Sequence, residues 1–144
     1  MAGEIVTQAE STTLVLNGTV VNDFISGDIL TLAPVNPLTS HVNGSGGGVN
    51  INKRADGGVH DLTIRVQKMS DSDVFLNSAV NQESPVVFNG TMKEDFIKNG
   101  IAGVETWILE SGSITTRPTA TSNDQDGNAL REYTIRFRNA QRNL

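Results

Sequence analysis

The sequence predicts a mainly β chain: a small β-barrel or sandwich with one short α-helix and a long β-hairpin arm protruding from it. Three observations carry that expectation. Apolar and polar residues alternate in six or seven short runs bounded by Asn-Gly, Asp-Gly and Pro, and a single stretch, 70–80, has helical spacing. Residues 36–60, NPLTSHVNGSGGGVNINKRADGGVH, hold six of the 14 glycines between two good strand patterns. With 144 residues the chain suits one domain, 1–144, large enough for a core.

The elements follow in order. In LVL-NG-TVV the pair Asn17-Gly18 tolerates positive φ, so a two-residue hairpin is expected with Val15 facing Val20. The run 28–35 reads as a strand ended by Pro34 and Pro37, because proline cannot donate to a ladder. The glycine-rich stretch comes next. Its alternations 40–42 and 49–52 suit a hairpin arm that packs on another subunit; a mobile surface loop is the other reading. In 61–69, Leu62, Ile64 and Val66 fall on one face and Thr63, Arg65 and Gln67 on the other.

Ser70-Asp71-Ser72-Asp73 approximates a capping box, with acids at the positive end of a helix. Val74, Phe75, Leu76, Ala79 and Val80 supply its apolar stripe, and the helix is expected to plug an open edge or end of the β-structure. VVF-NG-TM gives a second Asn-Gly hairpin signal at Asn89-Gly90, and around 93–103 the run MKEDFIKNG suits a short helical turn closed by Gly100. The run 104–114 is a strand with Trp107 and Leu109 on one side and Ile108 on the other; Glu105 and Glu110 argue against burial on both faces. The polar stretch 119–128 is expected to be a turn or exposed loop. The last strand places Tyr133, Ile135 and Phe137 on one face and Thr134, Arg136 and Arg138 opposite.

Chemical signatures are missing. Without cysteine there is no disulfide, thiolate ligand or thiol nucleophile. The run 44–48 lacks the Gly-Lys-Ser/Thr ending of a phosphate loop, and no helical pattern follows it. His41 and His60 flank the arm, so a hairpin could bring them together, but without a carboxylate at motif spacing they are a weak metal signal. Asp71 with Asp73, and Asp124 with Asp126, lack the later Glu of an EF-hand and suit caps and turns. No serine sits in a nucleophile elbow. The chain is therefore expected to be neither an enzyme nor a cofactor carrier. No membrane span is expected, and Met1-Ala2-Gly3-Glu4 has neither a basic nor an apolar signal region.

Charge is unevenly placed. Residues 1–52 carry four acids and no Lys or Arg; residues 129–144 carry Arg131, Arg136, Arg138 and Arg142 against Glu132 alone. Such asymmetry suits head-to-tail association of identical subunits, or else pairing within one fold. Lys53-Arg54 is read in the same two ways, as a solvated turn or as a contact to an acidic patch on a neighbour. The net charge of −5 argues against wrapping nucleic acid.

Taken together, LVLNGTVVNDFISGDILTLAP, HVNGSGGGVNINKRADGGVHDLTIRVQKMSDSDVFLN, GVETWILE and EYTIRFRNA resemble the tail tube proteins of contractile-tailed, myovirus-type phages. The resemblance covers nearly the whole chain, and its most specific part runs from the arm through a strand into the Ser/Asp-capped helix. It implies a β-barrel or sandwich packed by a helix, assembling into hexameric rings that stack into a tube conducting DNA and the tape-measure protein. Sheath, baseplate and tail terminator would be further partners, with assembly in the bacterial host cytoplasm and residence in the virion tail. The tube protein of type VI secretion systems shares the fold and is a close alternative; a fibre or decoration module is a more distant one. On this reading His41, Val42, Asn43, Val49, Ile51, Lys53 and Arg54 are the arm's candidate contacts to the adjacent ring, although no motif fixes them. Arg131, Arg136, Arg138 and Arg142 are the candidate interface charges, and Asp23, Glu105 and Glu110 are candidate acids of a lumen through which DNA passes without tight binding.

Overall fold

The computed structural model describes residues 5–7, 12–24, 29–119 and 130–144. In chain order the elements are β1 (Ile5–Thr7), β2 (Thr13–Leu16), β3 (Thr19–Val21), β4 (Leu30–Pro34), β5 (Thr39–Asn43), β6 (Val49–Lys53), β7 (His60–Gln67), α1 (Asp71–Val80), β8 (Phe88–Lys98), β9 (Ile101–Thr116) and β10 (Leu130–Asn143). All but β5 and β6 join one antiparallel sheet in the order β3-β2-β8-β9-β10-β7-β4, with β1 beside β8. The sheet folds over on itself as a small β-sandwich. Leu14, Leu16 and Val21 from one end share a core with Leu62, Ile64 and Val66 from the other. Beyond β3 the chain crosses to the far edge, where Phe24 bridges Val66 and the Asp23 carbonyl accepts from the Gln67 amide at 2.9 Å.

Period-two patterns set the strand faces. Leu62, Ile64 and Val66 are buried, as are Tyr133, Ile135 and Phe137, and Ile135 lies opposite Leu62. Asn17 and Gly18 take φ of 50° and 80°, and Val15 faces Val20. The second two-residue hairpin lies elsewhere than expected. Asn99 and Gly100 adopt φ of 52° and 76° between Lys98 and Ile101, so 93–103 is strand, turn and strand rather than a helical turn.

Asn89-Gly90, by contrast, is no turn at all; it lies inside β8 at a register shift. Gly90 is needed there because a Cβ would collide with the Val15 carbonyl. Asn89 braces the same place: its amide N–H donates to Asn17 Oδ1 at 3.0 Å, and its Oδ1 accepts from the Ser111 amide at 2.9 Å. Ser111, at φ 52°, marks the bulge that lets β9 bury Leu109 in one phase and Gly112 in the next. The stretch expected to be a loop at 119–128 lies, beyond its first residue, outside the described residues.

Helix α1 starts where the cap signal places it. Ser70 Oγ accepts from the Asp73 amide at 3.2 Å, and Asp73 Oδ2 accepts from the Met69 amide at 2.9 Å. Its buried side follows Ser72, Asp73 and Leu76, with Phe75, Ala79 and Val80 half-buried. Val74 instead faces solvent, because it lies about half a turn from Ser72 and Leu76, on the side opposite the buried residues. The helix ties distant strands together. Ser72 Oγ accepts from the Asn22 amide at 2.9 Å, Phe75 meets Phe88 edge-on at 6.0 Å, and Tyr133 Oη donates to Asp73 Oδ1 at 2.6 Å. Burial, reinforced by the Asp73 carboxylate, pushes the Tyr133 hydroxyl far above the usual phenol range, so it remains a donor.

Tyr133→Phe keeps the ring and removes that donor, leaving a carboxylate oxygen buried without it. We expect a loss of about 1–3 kcal/mol. Urea denaturation should show a lower midpoint at unchanged slope.

Candidate functional site

The feature least accounted for by the fold itself is the β5–β6 ribbon. It forms a separate two-stranded sheet with five residue pairs, Thr39–Lys53 to Asn43–Val49. Its end is closed by hydrogen bonds from Gly44 N to Gly48 O at 2.7 Å and from Gly47 N to Gly44 O at 3.1 Å, with Gly47 at φ 87°. The glycine run is therefore a hairpin tip. Every residue from 40 to 53 is exposed, including Val42 at 59%, Val49 at 55% and Ile51 at 61%. Alternation places His41, Ile51, Asn43 and Val49 on one face of the ribbon and Val42 with Asn50 on the other. An isolated two-stranded ribbon is marginal in water and has no layer of its own to bury these side chains against.

The arm is shorter than 36–60. Residues 54–59 turn back onto the body instead of extending the ribbon. Arg54 and Asp56 form a bidentate pair with both contacts at 3.0 Å, the Arg54 amide donates to Leu38 O at 2.9 Å, and Gly57 is buried against Leu38. The Gly58 carbonyl accepts from the Ala140 amide at 3.2 Å and lies 2.7 Å from His60 Nδ1, which as an N–H donates to it. A side chain at Gly58 would collide with Asn139. His60 thus belongs to β7, where it stands opposite Pro34 and Phe137 with its ring 5.9 Å from Trp107. His41 lies out on the ribbon opposite Ile51. The hairpin does not bring the two histidines together, because its register pairs residues far closer to the tip. No His, Cys, Asp and Glu cluster fit for a metal occurs among the described residues.

Between the arm root and the end of β9–β10 lies a cleft of about 970 Å³, walled by Pro37, Leu38, Trp107 and Ala140 and rimmed by Arg138 and Arg142. No sequence pattern pointed to it, since its walls come from four separate segments. A smaller cavity of about 260 Å³ lies between the end of α1 and β9.

Three of the four C-terminal arginines pair within the chain. Arg136 makes a bidentate contact to Asp61 at 2.8 and 3.0 Å, Arg142 makes one to Glu105 at 2.9 and 3.1 Å, and Arg138 reaches Glu110 at 3.0 Å. Arg131 donates to its neighbour's carbonyl, Leu130 O, at 2.8 Å. These three arginines are thus matched by acids on neighbouring strands, not by the acids of 1–52. Trp107 Nε1–H adds a bond to Glu105 at 2.9 Å. The Arg136 hydrogen bonds hold the Asp61 carboxyl below its ordinary value, and those of Arg142 do the same for Glu105, despite the opposing effect of partial burial. Asp23 stands apart from the other two candidate acids. It lies beside Gln67 and Ser72 near the start of β10, whereas Glu105 lies beside Arg142 near its end.

No family model and no curated protein sequence matches the chain. Its fold does match solved structures along nearly their full length. A chain of the tube-terminating cap of the anti-feeding prophage aligns at TM-score 0.69 with 14% identity, covering 99% of this chain and 94% of that one. A chain of the sheath–tube complex of an extracellular contractile injection system, in the extended state, aligns at 0.66 with 8% identity, covering 96% and 91%. A chain of the anti-feeding prophage baseplate aligns at 0.51 with 14% identity, covering 92% and 90%. The fold is thus one found in components of contractile injection systems.

Depressed carboxyl values place a stabilising contribution above the ordinary Glu value of 4.5 that is lost as pH falls through the lower, folded-state value. Stability should therefore decline on acidification below about pH 4.5. Glu105→Gln should flatten that decline, which denaturation midpoints measured across the acid range would reveal.

Proposed function

We propose that this chain is a structural subunit that stacks in rings, hexameric as in the resembled family, to build the inner tube of a contractile tail. The observation that carries the reading is the exposed ribbon: Val42, Val49 and Ile51 are held on a hairpin that its own body does not cover. Support comes from full-length fold likeness to components of a tube cap, a sheath–tube complex and a baseplate. A contact between two different patches of one protein generates an open assembly unless its rotation closes a ring. Sheath, tape-measure protein, baseplate and tail terminator are the partners this role implies, in a phage tail assembled in the host cytoplasm. No catalysis is assigned to it.

The net charge of −5 suits a conduit for DNA, because a basic lumen would retain phosphates. A type VI-like secretion tube is the alternative use of the same architecture.

Negative-stain imaging of the purified protein should show rings and long tubes; lone particles at every concentration would refute tube building, and single unstacked rings would favour a terminating cap. Replacing residues 41–51 with a two-residue turn, which keeps the Ser40–Asn52 pair, should leave the denaturation midpoint near that of the parent and abolish long tubes. DNA should bind the protein barely at all at physiological salt in a filter or mobility assay. A tight, salt-dependent complex would contradict the conduit role.

A further inference from the structure

We propose that the cleft at the arm root is the socket for the arm tip of a second copy of this chain. The proposal rests on the stacking role above and names the surface that receives the arm. Reach decides which copy supplies the tip. Leu38, Lys53 and Arg54, from which the ribbon rises, are themselves part of the cleft wall. The five-pair ladder carries the tip roughly 16 Å outward at about 3.3 Å per residue. Folding it back into its own cleft would break that ladder, so only another molecule can supply the occupant.

Shape and charge agree. The tip, residues 42–49, has no Lys, Arg, Asp or Glu, and four of its eight positions are glycine, so it is slim and uncharged. The cleft is large enough for a few residues of such a tip and too small for a globular partner. Three of the cleft's cations already have partners, Arg138 with Glu110, Arg142 with Glu105 and Arg54 with Asp56, so a neutral insert need not supply them with a counter-ion. Trp107 and Leu38 offer apolar surface to Val42 and Val49. Arg138 binds Glu110 through Nη2, and Arg142 binds Glu105 through Nε and Nη2, so Nη1 of each is placed to meet carbonyls of the glycine turn. Tip and socket are different patches, so the contact is heterologous and repeats from copy to copy without limit.

The chain has no cysteine, which allows a direct test with the full-length protein. Ser45→Cys places a thiol at the tip and Gln141→Cys places one on the cleft wall. Oxidation of the assembled double variant should give a ladder of covalent multimers on a non-reducing gel, whereas Ser45→Cys alone should give nothing beyond dimer. Tubes by electron microscopy without a ladder would overturn the socket and leave tube building intact. A fast-migrating, internally linked monomer would also overturn it, by showing the tip in its own cleft. Failure of the unmodified protein to form tubes would remove the stacking role itself.

Discussion

The Gly58 carbonyl oxygen, taking the Ala140 amide on one side and facing His60 Nδ1 on the other, fastens the arm to the body. Asn139 packs where a Gly58 side chain would stand, and Gly57 is sealed against Leu38. Because β10 pairs with both β7 and β9, this anchor ties the arm to an interior strand of the sheet. Loops built this way present a surface without wandering, which reduces the entropy lost when a partner takes hold. The ribbon beyond the anchor is different, being fully exposed and one layer thick.

The body explains why such an arm can be tolerated. Its core is closed without help from 39–53, through β7, β10 and the helix that Tyr133 and Asp73 lock in place. Most of the arginine-rich end is held in the same way, since Asp61, Glu110 and Glu105 pair with Arg136, Arg138 and Arg142 across neighbouring strands. Surface pairs of this kind add little to stability, but they suppress unpaired charge around the cleft. What the body does not satisfy is the apolar surface of the ribbon and the open space beneath its root.

Much of this was legible in the sequence because the signals were local. Period-two runs fixed the buried faces of β7 and β10, Asn17-Gly18 fixed one hairpin, and Ser70 with Asp73 fixed the start of the helix. Apart from Asn99-Gly100, a local hairpin signal taken for a helix end, the misreadings came from residues whose role depends on a distant neighbour. Asn89-Gly90 has the composition of a turn, yet Gly90 is glycine because Val15 passes close by, and Asn89 bridges a remote turn to a remote bulge. Gly57 and Gly58 look like more of a flexible arm, but they are packing positions. The cleft has no sequence signature at all. The fold that the family resemblance implied, drawn from four stretches across the chain, is one found in contractile injection system components.

The central claim is that the ribbon owes its order to another molecule while the body owes nothing to the ribbon. Hydrogen–deuterium exchange on the lone subunit and on the assembled protein measures this most directly. The account predicts fast exchange across 40–52 in the lone subunit, strong slowing there on assembly, and slow exchange in β7 and β10 in both states. Amides of 40–52 already protected in the lone subunit as well as those of β10 would contradict it.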